Sequence, residues 1–282
     1  TLTVTDVNGN SSTCDATVTV DDDIDPSIVC QDITVQLDAS GNVSITGIDI
    51  DNGTTDNCST VGSTLTLDLT PSDFDCNNVG TNTVTLTATD ENGNSSTCTA
   101  TVTVQDNESP NALCQDITIY LDGAGNVSLV PADIDNGSTD NCAIDNMVVT
   151  PNSFSCSGVG ANPVTLTVTD VNGNVGSCTS TVTVLDTISP AAVCQDITVQ
   201  LDASGNASIV ASQVNDGSSD ECGIDNIAID VSTFDCSVVG ANTVELTVTD
   251  VNGNVSTCDA IVTVEDTISP TAVCQDITVQ LD

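Results

Sequence analysis

The chain has 282 residues, 41 of them Asp or Glu, with no Lys, Arg or His, and its formal net charge is −41 at pH 7. Nothing in it neutralises a phosphate backbone or an anionic bilayer, so nucleic-acid binding and docking on anionic membranes are excluded, and no apolar run approaches the length for direct membrane insertion. With no imidazole or side-chain amine, enzyme chemistry is reduced to carboxylate pairs in a shaped cleft, such as Asp135 with Asp140, and the chain reads as no enzyme.

The first element is a strand-like run, Thr1–Thr5, followed by a D-x-N-G-N turn at Asp6. An acidic linker, Asp21-Asp22-Asp23-Ile24-Asp25-Pro26, ends in a proline that stiffens the joint. Ile33–Leu37 and Val43–Ile45 then read as a hairpin about the turn Asp38-Ala39-Ser40-Gly41-Asn42. Next comes D-x-D-N-G-x-x-D, with Asp49, Asp51 and Asp56, before Cys58 and then Phe74 and Cys76. Thr83–Thr89 and Thr99–Val104 alternate hydroxyl and apolar residues, which predicts antiparallel strands with Val84, Leu86, Ala88, Ala100, Val102 and Val104 facing in. The Asn-Gly between them is a strong hairpin signal.

The pattern then repeats. D-x-N-G-N starts at Asp6, Asp90, Asp170 and Asp250, and C-Q-D-I-T at Cys30, Cys114, Cys194 and Cys274, both spaced 84, 80 and 80. The chain divides into the C-terminal part of a repeat (1–25), full repeats 26–108, 109–188 and 189–268, and the N-terminal part of another (269–282), whose run Ile277–Asp282 reads as a strand. It reads as an excerpt of a longer secreted protein. Short strands with turns every 8–12 residues predict an all-β fold: tandem immunoglobulin-like β-sandwiches of about 80 residues, strung as an extended rod. Hydrophobic residues are 38% and aromatics 1%, so each core is thin and needs staples. The 14 Cys supply them, as disulfides of an oxidising compartment; no C-x-x-C pair points to zinc.

The favoured pairing joins first and last strands, as Cys30–Cys98, Cys114–Cys178 and Cys194–Cys258, and clips a local loop, as Cys58–Cys76, Cys142–Cys156 and Cys222–Cys236. Cys14 and Cys274 are left without partners. A Cys98–Cys114 staple between neighbouring repeats is the alternative. The first-to-last pairing needs a kink at Gln31-Asp32, because Cys30 is out of phase with Ile33 and Val35.

With no cation in the chain, each carboxylate faces water or a metal, and calcium is the expected cofactor. Three clusters offer oxygen ligands. One is D-x-N-G-N, with Asp90 and Asn92, Asp170 and Asn172, Asp250 and Asn252, against a plain hairpin turn. A second is the Asp49, Asp51, Asp56 loop, with Asp133, Asp135 and Asp140 and, in part, Asp216 and Asp220 as its counterparts. The third is the linker, through Asp106 and Asp186.

The run from Asp170 through Cys178-Thr179-Ser180-Thr181-Val182-Thr183-Val184 to Cys194, with Ser138-Thr139-Asp140-Asn141-Cys142, resembles the hyalin-repeat (HYR-like) module. The near-identical copies are similar to those of giant surface adhesins of Bacteroidota, including gliding-motility adhesins exported by type IX secretion. That resemblance implies an extracellular, cell-surface stalk or filament segment. Its partners would be neighbouring repeats of the same chain and other copies in a fibre. It also implies O-glycans at Thr187 and Thr267, in Asp-Thr-Ile motifs. The alternative function is a calcium-dependent module that binds a glycan or protein.

Overall fold

The structure, a computed structural model, describes residues 1–280. Leu281 and Asp282, at the end of the expected strand Ile277–Asp282, lie outside the described residues, and 277–280 form no strand.

Alternation builds the central hairpin of each full repeat. In the first, Gly80–Thr89 pairs antiparallel with Ser95–Gln105, placing Val84 opposite Ala100 and Leu86 opposite Cys98. Val84, Leu86, Ala88, Ala100, Val102 and Val104 are all buried, so one face of the ribbon is core and the Thr-rich face is wet. Thr66–Thr70 pairs with Gly80–Thr89 on one side. On the other edge Ile33–Gln36 runs parallel to Ser95–Gln105, with Ile33 opposite Val102. A second, two-stranded sheet, Asn42–Ser44 with Asp73–Asp75, sets Phe74 opposite Val43. Phe74 packs with Leu37, Ile45, Ile50 and the inward residues of the hairpin into one core.

The other two full repeats follow the same plan. Their four-stranded sheets are ordered Ile117–Tyr120, Val175–Leu185, Gly160–Asp170, Ile144–Thr150, and Ile197–Gln200, Val255–Glu265, Gly240–Asp250, Ile224–Ile229. Two-stranded sheets pair Asn126–Ser128 with Ser153–Ser155 and Asn206–Ser208 with Thr233–Asp235. Single helical turns, Gly47–Ile50, Pro131–Ile134 and Ala211–Val214, bury Ile50, Ile134 and Val214 completely. The chain is therefore all-β, a tandem array of immunoglobulin-like sandwiches of about 80 residues.

Ile33–Leu37 and Val43–Ile45 are not a hairpin. Their strands belong to different sheets, and the turn at Asp38 carries the chain across the sandwich. Leu37 is the pivot: it is buried and donates its N–H to Gln105 O at 2.9 Å, so the strand cannot fold back on itself. The kink required at Gln31-Asp32 is present. Gln31 N–H bonds to Ile50 O, Asp32 accepts from Thr101 N–H at 2.7 Å, and Cys30 bonds to Cys98 with 6.0 Å between Cα atoms. Cys114–Cys178 and Cys194–Cys258 repeat this tie.

Two compact units emerge. One comprises Thr1–Asn111 with Ser138–Asn146 and Val168–Gly176; the other comprises Ala112–Gly137, Met147–Thr167 and Ser177–Asp282. The first unit thus takes in two loops of the second repeat, and those loops form the joint described next.

Candidate functional site at the joints between repeats

The remaining disulfides link successive repeats. Cys76 bonds to Cys142 and Cys156 to Cys222, with Cα separations of 5.3 and 5.1 Å. The local clips Cys58–Cys76, Cys142–Cys156 and Cys222–Cys236 do not form, and strand length explains why. Cys76 precedes the ten-residue strand Gly80–Thr89, whereas Cys58 lies with Asp56 beside the Asp90 turn at that strand's other end. Ten residues of strand span about 30 Å, far beyond the ~7 Å Cα limit of a disulfide. Cys222 and Cys236 are likewise parted by Gly240–Asp250. Cys14, Cys58, Cys236 and Cys274 are exposed and unpaired.

A turn glycine seats each joint disulfide. Gly41 and Gly125, with φ of +73 and +71° in a region that disfavours a side chain, lie beside Cys76 and Cys156, and Gly205, at +74°, lies in the same way beside the unpaired Cys236. A Cβ on Gly41 would lie 2.7 Å from both Cys76 Sγ and Asn141 O. The D-x-x-G-N spacing marks these glycines in the sequence; that Gly41 and Gly125 also make room for a disulfide is not legible there.

The acids regroup by place, not by sequence adjacency. Asp106 of the linker meets Asp140 and Asp170 of the second repeat, with one ligand oxygen from each within 4.8 Å of the others. Asp22, Asp56 and Asp90 form the equivalent cluster, and Asp186 and Asp220 come together near Cys222, whose sulfur is held in the disulfide. Asn141 locks the first unit's joint: its Nδ2 donates to Asp38 O at 3.1 Å and to Asp106 Oδ1 at 3.2 Å. Asn174 Nδ2 donates to Asp106 O, as Asn94 does to Asp22 O and Asn254 to Asp186 O.

The D-x-N-G-N loops are closed hydrogen-bonded turns rather than loops offering ligands at positions 1, 3 and 5. Asp170 Oδ1 accepts the N–H of Asn172 and Asn174 at 2.8 Å, and Oδ2 accepts Asn174 Nδ2. Asn92 and Asn252 give their backbone N–H groups to Asp90 and Asp250 in the same way. Burial pushes the Asp170 and Asp250 carboxyls up, but the hydrogen bonds, led by the Asn174 and Asn254 side chains, outweigh it and hold both below the usual value. The Asp90 and Asp170 turns thereby bring one buried carboxylate each to their joints.

Asp49 does not join Asp56. Its Oδ2 caps the helical turn, accepting Thr46 N–H at 2.7 Å, and this lowers its pKa. Asp133 Oδ2 likewise accepts Val130 N–H, at 2.7 Å. Asp51 accepts Thr54 N–H at 2.9 Å, Asp135 bridges to Cys114, and Asp216 N–H bonds to Val193 O. Asp56, Asp140 and Asp220 each accept two N–H groups of the cysteine loop that follows, which aims one carboxylate edge at the joint. Thr187 and Thr267 are exposed.

No family model matches the chain, and no curated protein matches it in sequence. Among solved structures it is similar to titin domains I67–I69 in an E-to-A variant, at 10% identity over 85% of this chain and 98% of that one, with a TM-score of 0.35. The protocadherin gamma B7 extracellular cadherin domains 1–4 match at 13% identity over 72% of this chain and 66% of that one, with a TM-score of 0.30. The human desmocollin-1 ectodomain matches at 11% identity over 96% and 69%, with a TM-score of 0.26.

Proposed function

We propose that the chain is a covalently reinforced spacer: a stalk or filament segment of a giant secreted adhesin at a bacterial cell surface, serving adhesion or gliding motility. The observation that supports it is the pair of inter-repeat disulfides, Cys76–Cys142 and Cys156–Cys222. Within each repeat a second disulfide ties first strand to last, so tension bypasses the sandwich instead of unravelling it. Between repeats the linker backbone and the joint disulfide run side by side. Five disulfides in so thin a set of cores require an oxidising compartment, consistent with an extracellular location. Cys236 holds the place of Cys76 and Cys156, and Cys58 that of Cys142 and Cys222, so further copies on either side would extend the ladder. Thr187 and Thr267 are offered as glycan sites on the exposed linkers, and calcium as the joint cofactor.

Small-angle scattering tests the spacer reading. Strands of ten or eleven residues make domains roughly 30–40 Å long, so three full repeats in line give a maximum dimension near 100 Å. A compact globule would overturn the reading.

A further inference from the structure

The geometry points to a divalent-cation site, of calcium type, in each of the first two joints, built from one linker carboxylate and two carboxylates of the following repeat. It deepens the spacer reading and rests on it.

The best-defined site is Asp106, Asp140 and Asp170. Asp106 is 7% exposed and Asp170 2%, so the cluster lies inside the joint and not on a solvated face. Its hydrogen bonding is incomplete in one direction only. Asp106 Oδ1 accepts from Glu108 N–H and Asn141 Nδ2, and Asp140 Oδ2 accepts from Cys142 and Ala143 N–H. The other oxygens, Asp106 Oδ2 and Asp140 Oδ1, are buried with no partner, and so is Asn141 Oδ1. Every orphan is an acceptor, and buried acceptors without donors are strongly disfavoured. A water or a missing donor would satisfy one or two of them. It would not answer the mutual repulsion of three carboxylates whose oxygens lie within 4.8 Å, in a chain without a single Lys, Arg or His.

The pattern recurs. Asp22 Oδ2 and Asp56 Oδ1 are orphaned in the cluster with Asp90, and Asp186 Oδ2 is orphaned beside Asp220. The same atom of the linker Asp is left open three times. All-oxygen, multiply anionic coordination suits a hard cation that accepts six to eight ligands in loose geometry, with water completing the shell.

The test is calorimetric titration of the EDTA-stripped 282-residue chain with calcium chloride, and with magnesium chloride in parallel, plus thermal melts in both states. Binding is expected with a dissociation constant of roughly 10⁻⁴–10⁻³ M, as in extracellular calcium modules, and tighter than for magnesium. The variant carrying Asp106→Asn and Asp140→Asn keeps the hydrogen-bonding oxygens and removes two charges. It should lose one binding site, melt above the parent in EDTA and below it in calcium. A purely structural role for these acids gives no such crossing. Asp133→Asn, outside the cluster, should leave the titration unchanged. No saturable heat up to about 10 mM calcium, or an undiminished site count in the double variant, would overturn the site. A chain that binds no calcium yet scatters as a long particle would remove the cation site and leave the spacer reading standing.

Discussion

Replacing both Cys156 and Cys222 by Ser is expected to lower the free energy of unfolding by about 4 kcal/mol, the loop-entropy value for a bond closing 66 residues. That approaches the net stability of a small domain, so the second and third repeats should lose their coupling and unfold at much lower urea. The single variant Cys156→Ser carries the sharper diagnostic. It removes the partner of a residue in a different repeat, so Cys222 should become a titratable thiol. A loss below about 1 kcal/mol in the double variant, or a Cys222 that stays protected in the single one because it has moved to Cys236, would contradict the pairing.

Leu246→Ala should cost about 2–5 kcal/mol and unfold the third repeat under conditions where the parent is folded. Leu246 is fully buried and packs with Phe234, Val244, Val248, Ala260 and Val262, in a small core of otherwise aliphatic side chains that cannot fill the hole. Val255→Ala, at a position 50% exposed, should change little. Because each repeat owns its core, the loss should be confined to one repeat, visible as a separate early transition in chemical denaturation. A single transition with the parent's midpoint would show that Leu246 is not core.

The sandwich was legible because period-two alternation over ten or eleven residues is hard to mistake, and Val84 to Val104 face in as the pattern requires. The partner of a strand is not encoded in its period. Ile33–Gln36 has the composition of a hairpin arm, and only Leu37 turning into the core shows that the chain crosses sheets instead. Cysteine proximity in sequence misled for a related reason: an intervening strand places Cys58 and Cys76 at opposite ends of a sandwich. The acids show the same effect. Asp49, Asp51 and Asp56 are neighbours in sequence and part company in the fold, while Asp106, Asp140 and Asp170, from three segments, meet. The individual ligand candidates were visible, but not their grouping, because grouping is set by which end of the sandwich each loop reaches.

Disulfide mapping tests the covalent ladder most directly. The chain has no trypsin site, but its Glu residues, Glu91, Glu108, Glu221, Glu245 and Glu265, divide it usefully. The denatured protein, with thiols blocked and disulfides intact, is digested by a protease that cuts only after Glu and is weighed without reductant. Cys30–Cys98, Cys76–Cys142, Cys156–Cys222 and Cys194–Cys258 together predict one covalent species spanning residues 1–265, with only 266–282 released. Local clips would instead give a 1–108 species, a second joining 109–221 to 246–265, and a free 222–245 peptide. That result would contradict a chain stapled from repeat to repeat.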